Sequence, residues 1–279
     1  MSKKISFQGV EGAYSNLAVN EFFPGSETVP CKTFEIAIDE AVSGRVDYAM
    51  IPIENSAAGR VADIHRLLPK SNLHINFEHF QKVEHKLLIH PEANIKNIKK
   101  IISHEQALAQ CSDKIQKLDL DILIGADTAG SAKMIIENSI MDTAAIASSL
   151  AADIYGLKTE DQDFANSKNN ITRFYIMSKN ENKKFDAKKN YISSFLFSVN
   201  NTPGSLFKVM GGFATNNVNM IKLESYNYGA DFIITEFYCE IEGHPDQENT
   251  KFALDDMYHY CSKVRKLGVF EKSIYRMRQ

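Results

Sequence analysis

The stretch Asn169-Asn170-Ile171-Thr172-Arg173-Phe174 places a hydroxyl, a fixed cation and an aromatic ring in a row. A polar run ends there and a strand-like run, Phe174-Tyr175-Ile176-Met177, begins. Arg173 has the geometry to hold a carboxylate through two parallel hydrogen bonds. Thr172 can give a hydrogen bond or a proton to a departing oxygen. Most Thr-Arg pairs at strand starts are plain surface residues, so the triplet gains weight only from its company. Small polar groups recur before helices or strands at Ser15, at Glu54-Asn55-Ser56, at Ser103 with Gln106, and at Thr128. Such a set suits a small, multiply charged, oxygen-rich ligand held by helix N-termini, amides and one guanidinium. It requires neither a metal nor an organic cofactor.

Other chemistries find little support. The eight histidines form no His-Glu-x-x-His and no cluster with cysteines. His85 and His104 fall near strand ends and read as packing or helix-capping residues. No Gly-x-x-x-x-Gly-Lys loop and no Gly-x-Ser-x-Gly elbow occurs. Cys31, Cys111, Cys239 and Cys261 are scattered and read as free buried thiols. A net charge of -3 gives no reason to expect nucleic acid or an anionic membrane as partner. No apolar run approaches the roughly 18 residues that span a bilayer, and Met1 to Phe7 has no apolar leader region. The expectation is a cytoplasmic protein of about two domains.

The elements that must position these residues alternate. Ile5 to Gln8 reads as a strand, followed by Gly9-Val10-Glu11-Gly12-Ala13-Tyr14-Ser15 and a helix to Phe23. The two glycines allow a tight turn that leaves helix-start amides open to an anion, with Ser15 alternatively an N-cap. A helix over Thr33–Ser43, a buried strand at Tyr48–Ile51, and a helix from Arg60 to Leu68 follow. Leu73–Val83 reads as extended. Strands at 87–89, 98–102, 121–124 and 143–146 then alternate with helices, one of which carries Leu108, Cys111, Ile115 and Leu118 on its buried stripe. That alternation predicts a mostly parallel sheet, whose strand ends gather the ligand groups. Residues 179–190 read as a polar linker. From residue 191 the order becomes βαββαβ, the ferredoxin-like arrangement. Its second helix carries Leu254, Met257, Cys261 and Val264, its hairpin loop is Asn227–Asp231, and its final strand is short and near Val269.

Five stretches together resemble the prephenate dehydratase family. They are Gly9–Ser15, Pro52-Ile53-Glu54-Asn55-Ser56, Ser103–Cys111, Ala126-Asp127-Thr128-Ala129-Gly130 and Asn170–Phe174. The resemblance implies a two-lobed, periplasmic-binding-protein-like (type II) α/β catalytic domain over 1–178. One lobe would be about 1–77 with 160–178, the other about 78–159. It implies a C-terminal ACT regulatory domain over 191–279. It implies decarboxylative dehydration of prephenate to phenylpyruvate in phenylalanine biosynthesis, without a cofactor. Thr172 would be catalytic. Arg173, Ser15, Asn55, Ser56, Ser103, Gln106, Thr128 and Phe174 would bind substrate, with Arg173 on the side-chain carboxylate. L-phenylalanine would act as effector at Asn201, Pro203, Gly204, Ser205, Leu206, Asn219, Glu224 and Ser225. Tyr226-Asn227 stand where the family has Arg-Pro, so effector identity stays open. A homodimer or homotetramer is expected. The same fold acting on arogenate, and a non-catalytic carboxylate sensor, are the alternatives.

Overall fold

The computed structural model describes residues 2–228 and 234–277. They form two compact units, one of residues 1–71 with 79–175, the other of 72–78 with 176–279. Up to residue 178 the chain runs β1 (Lys4–Gln8), α1 (Tyr14–Phe22), β2 (Glu27–Cys31), α2 (Phe34–Val42), β3 (Tyr48–Asn55), β4 (Gly59–Arg60) and α3 (Ala62–Leu67). It continues through β5 (His74–Lys82), β6 (Lys86–Ile89), β7 (Lys100–Ser103), α4 (Glu105–Gln110), α5 (Ser112–Leu118) and β8 (Asp121–Ile124). It closes with α6 (Thr128–Glu137), β9 (Thr143–Ala147), α7 (Ser149–Tyr155), β10 (Lys158–Asp161) and β11 (Ile171–Ser178).

These strands make two sheets, ordered β5-β11-β3-β1-β2 and β10-β6-β9-β7-β8, with β4 paired to β3. Two sheets with helices between their strands are the two-lobed α/β class the sequence implies. The pairing is mixed, not mostly parallel. β1 runs parallel to β2 and β3, and β7 to β8 and β9, but β6 is antiparallel to both β9 and β10. Strand period explains the second sheet's core. Leu87, Ile89, Ile101, Ala144 and Ile146 bury on one face, with Leu108, Cys111 and Ile115 of the helices above. Leu88, Ile102, Ala145 and Ala147 bury on the other, against Ala129, Ala132, Ile135 and Ala151. A strand sandwiched this way is apolar along its length, as β9 is over Ala144–Ala147, while its first residue, buried Thr143, donates to Asp142 Oδ1 at 3.0 Å.

Several local expectations change. The helix expected from residue 60 begins at Ala62, because Gly59 and Arg60 pair back onto Asn55 and Glu54. The helix after Ser103 breaks at Cys111 into α4 and α5, and Leu118 is 45% exposed, off the buried stripe. Gly12 does not open an anion loop. Its amide donates to Asn16 Oδ1, and a Cβ there would lie 2.8 Å from Ala151 Cα. Glycine at 12 therefore serves close approach of α7 at φ +85°.

The second unit runs β12 (Tyr191–Val199), α8 (Ser205–Thr215), β13 (Met220–Tyr228), β14 (Ile234–Glu242), α9 (Glu248–Tyr260), β15 (Cys261–Glu271) and α10 (Ile274–Met277). The order β13-β14-β12-β15, antiparallel throughout, is the ferredoxin-like sheet. Cys261 and Val264 belong to β15, not to the helix, and that strand is eleven residues long. Apolar residues at 261, 264, 267 and 269 fit a twisted strand with register shifts as well as a helix face. Of the expected hairpin loop, residues 229–231 lie outside the described residues, while Asn227 and Tyr228 end β13.

Candidate functional site

A cleft of about 560 Å³ in the first unit is lined from both sheets. Thr172 and Phe174 line it, but Arg173 does not. β11 explains the difference, because alternate residues of a strand face opposite sides. Arg173 is 2% exposed and its Nη1 lies 3.1 Å from Glu54 Oε1. Its guanidinium stacks over Tyr175, with its carbon 4.9 Å from the ring centre, and lies 5.9 Å from that of Phe80. The expected carboxylate ligand is thus turned away from the cleft and occupied. Among the cleft-lining residues the permanent cation is Arg60, on the short strand paired to β3.

Around Thr172 the amides form a chain of fixed polarity. Asn55 Oδ1 accepts from the backbone amides of Ala57 at 2.9 Å and Ala58 at 2.8 Å. Its Nδ2 must then face the other way, donating to Thr172 Oγ1 at 2.9 Å and Asn170 Oδ1 at 2.7 Å. Asn170 Nδ2 in turn donates to Gln110 Oε1 at 2.7 Å. Gln110 Oε1 also lies 2.8 Å from His85 Nε2, and His85 Nδ1 lies 2.8 Å from Tyr14 Oη. Burial pulls the His85 imidazole below its ordinary pKa, against a smaller upward effect of the Gln110 hydrogen bond. Burial also holds the Tyr14 phenol well above its ordinary value.

Of the remaining expected residues, Asn55, Ser15, Gln106 and Thr128 reach the cleft. Ser15 is not an N-cap. The N-cap of α1 is Ala13, which has no side-chain oxygen to offer. Ser56 and Ser103 are structural and absent from the lining. Ser56 Oγ accepts from Ile171 N and donates to Asn169 O, both at 2.9 Å, tying the two loops together. Ser103 is fully buried and donates to Ile146 O at 2.7 Å. His104 caps α4 as expected, its Nδ1 accepting from Gln106 N at 3.2 Å. Asp127 caps α6 through Gly130 N at 2.6 Å.

Sequence reasoning missed Gln110, Asn170, His85, Tyr14 and Arg60. Gln110 had a signal, since it sits one helical turn beyond Gln106 on the same face. Among the described residues, no group of three or more His, Cys, Asp or Glu comes together as a metal site. No described helix is long and apolar enough to cross a membrane.

In the second unit the expected effector residues divide. Asn201–Leu206 lead into α8, while Asn219 follows its other end and donates to Glu242 Oε2 at 3.0 Å. Eleven helical residues separate the two by roughly 16 Å, so one copy does not join them in one site. A cavity of about 370 Å³ there includes Asn219 but none of the other expected residues. Glu224 accepts a hydrogen bond from Tyr226 Oη at 2.7 Å.

A two-lobed α/β unit carries a polar cleft of hydroxyls and amides, and a ferredoxin-like unit follows it in the chain, which is the class of a small-ligand-binding α/β protein with a C-terminal α+β module. Residues 5–182 match the prephenate dehydratase model. Over 272 residues, 98% of this chain and 97% of the relative, the chain is 42% identical to a bifunctional N-acyl-homoserine lactone acylase/prephenate dehydratase of Komagataeibacter europaeus. It is 35% identical over 276 residues to an arogenate dehydratase/prephenate dehydratase of Arabidopsis thaliana, covering 96% of this chain and 72% of that one. A prephenate dehydratase of Arthrobacter aurescens, solved with L-Phe, shares the fold at a TM-score of 0.88 and 24% identity, over 96% and 90% of the chains. The chain belongs to the prephenate dehydratase family.

Proposed function

We propose that the chain converts prephenate to phenylpyruvate, with loss of carbon dioxide and of the ring hydroxyl as water. The observation that carries this is the Thr172–Asn55 contact inside the cleft. In the reaction the bond from ring carbon to carboxylate breaks, its electron pair moves through the ring, and the opposite C–O bond is expelled. Aromatisation supplies the driving force, so the protein needs to place the ring and help the hydroxyl leave. Thr172 Oγ accepts from Asn55 Nδ2, so its own proton is left to point at the leaving oxygen. The same Asn55 N–H stabilises negative charge that builds on Oγ as the proton moves. General-acid help of this kind is worth about 10²–10⁴ in rate.

Gln110 Oε1 is used by its neighbours, so its amide offers the cleft an NH2 group. With Gln106, Ser15, Thr128 and Arg60, it gives two substrate carboxylates donors and a positive charge. The substrate's side-chain carboxylate is assigned to this set and not to Arg173.

The second unit is proposed to act as an ACT domain that binds L-phenylalanine across paired copies. The ferredoxin-like order and the L-Phe complex of the Arthrobacter relative support this. The Arabidopsis relative's name makes arogenate the second substrate to weigh, since the two differ by a keto group against an ammonium. The test is steady-state turnover of purified protein on prephenate, arogenate and an N-acyl-homoserine lactone, each with and without L-phenylalanine. Phenylpyruvate formation, slowed by phenylalanine, is expected. Turnover of arogenate alone would move the substrate and keep the mechanism. No aromatising turnover of either would overturn the reading.

A further inference from the structure

We propose that His85 is a positioning residue for this reaction: its Nε2–H fixes the Gln110 amide that faces the cleft. This role rests on the function proposed above, and in it His85 acts through Gln110. Its basis is the polarity of the amide chain. Backbone amides of Ala57 and Ala58 pin Asn55 Oδ1, and neither can reverse its role. That fixes the Asn55 NH2 toward Asn170 Oδ1, and the Asn170 NH2 toward Gln110 Oε1. Gln110 Oε1 can only accept, so the partner at 2.8 Å on its other side must donate. His85 is therefore the Nε2–H tautomer or the imidazolium, and never the Nδ1–H tautomer alone.

The other end of the ring agrees. In the neutral Nε2–H tautomer, Nδ1 accepts the Tyr14 O–H at 2.8 Å. In the imidazolium, Nδ1–H donates to Tyr14 Oη and the phenol donates onward to Glu84 O at 2.9 Å. Both states leave Nε2–H aimed at Gln110. The ring is 2% exposed and meets Tyr14 edge-on at 5.5 Å between ring centres, so packing holds it in this orientation. Without His85, Gln110 Oε1 keeps only Asn170, and the amide is free to swing its oxygen toward an anionic substrate.

The test is a double-mutant cycle on steady-state turnover of prephenate, using His85→Leu, Gln110→Ala and the double variant in the full chain. Wild-type turnover is measured first, so failure of the functional reading shows before His85 is judged. One lost hydrogen bond predicts about a five- to tenfold fall in kcat/KM for His85→Leu. In the Gln110→Ala background the same change should cost less than about twofold, because its target is gone. His85→Gln carries an N–H near the Nε2 position and should recover part of the loss. His85→Asn, which can reach only Tyr14, should not. Equal losses in both backgrounds, or equal losses for His85→Gln and His85→Asn, overturn the proposal and leave His85 a packing residue. Should His85→Leu not fold, the Gln and Asn variants alone decide.

Discussion

Replacing Arg173 by Met separates two readings of the same residue. If Arg173 holds substrate, the change raises KM. If it is a buried structural cation, the change lowers stability. Breaking a fully buried pair costs about 3–5 kcal/mol, mainly through the charge left behind. Here the charge left behind is Glu54, whose side chain is 36% exposed and can be rehydrated in part. That lowers the pair's share to about 2 kcal/mol. Loss of the stacking on Tyr175 adds about 1 kcal/mol. The total of about 3 kcal/mol corresponds to a fall in Tm of roughly 6–12 °C for a unit of this size. Scanning fluorimetry gives the Tm, and prephenate kinetics well below it give KM. The expected result is a large drop in Tm with KM within about twofold of wild type. A tenfold rise in KM with Tm unchanged would refute the reasoning, and the strand alternation of β11 with it.

Arg60→Ala should raise KM for prephenate by roughly tenfold, with Tm within a few degrees, because Arg60 is exposed at the cleft. An unchanged KM would exclude it from carboxylate binding. Asn55→Ala should lower kcat by about 10² or more, since it leaves Thr172 unoriented. A kcat within threefold of wild type would remove Asn55 from the mechanism. Burial pulls His79, His85 and His244 below the ordinary imidazole value, so between pH 7 and 5 the unfolded chain binds more protons at these sites than the folded one. Stability should therefore rise with pH through that window and level off above it, and a Tm series across buffers checks the sign. Cys111 is fully buried and its thiol is pushed up to about 12, so in native protein at pH 7.5 it should not react with a thiol reagent, but should do so in denaturant.

What was legible in the sequence was whatever local pattern decides. The βαββαβ order, the strand mouth at Thr172 and the loop at Asn55 are set by periodicity and turn residues. The direction of a side chain on a strand was also available in principle. Thr172 and Phe174 share a parity that excludes Arg173, yet adjacency suggested one joint site. The missed residues fail for another reason. Gln110 and Asn170 lie 55 and 115 positions along the chain from the expected Asn55, and no spacing rule links amides that meet only after two sheets form. Cys261 was misassigned because helix and strand periods overlap over a short apolar run. β15's pairing with β12 over its whole length, a tertiary effect, settles it.

The amide chain bears on why such a cleft can work without a strong acid. A threonine hydroxyl in water does not protonate a leaving group. What the fold supplies is direction. Two backbone amides at Ala57 and Ala58, fixed by the tight pairing of Gly59 and Arg60 onto β3, decide which way Asn55 points. Asn55 then decides which lone pair of Thr172 is taken and where its proton is left. Each step is a neutral hydrogen bond of ordinary length made within the fold itself. A preorganised donor costs no reorganisation at the moment of bond breaking. For the proposed reaction, driven by aromatisation, that is the larger part of what remains to be supplied. Substitutions that keep the hydroxyl but release its orientation, such as Asn55→Ala, should therefore approach the loss expected on removing the hydroxyl itself by Thr172→Val.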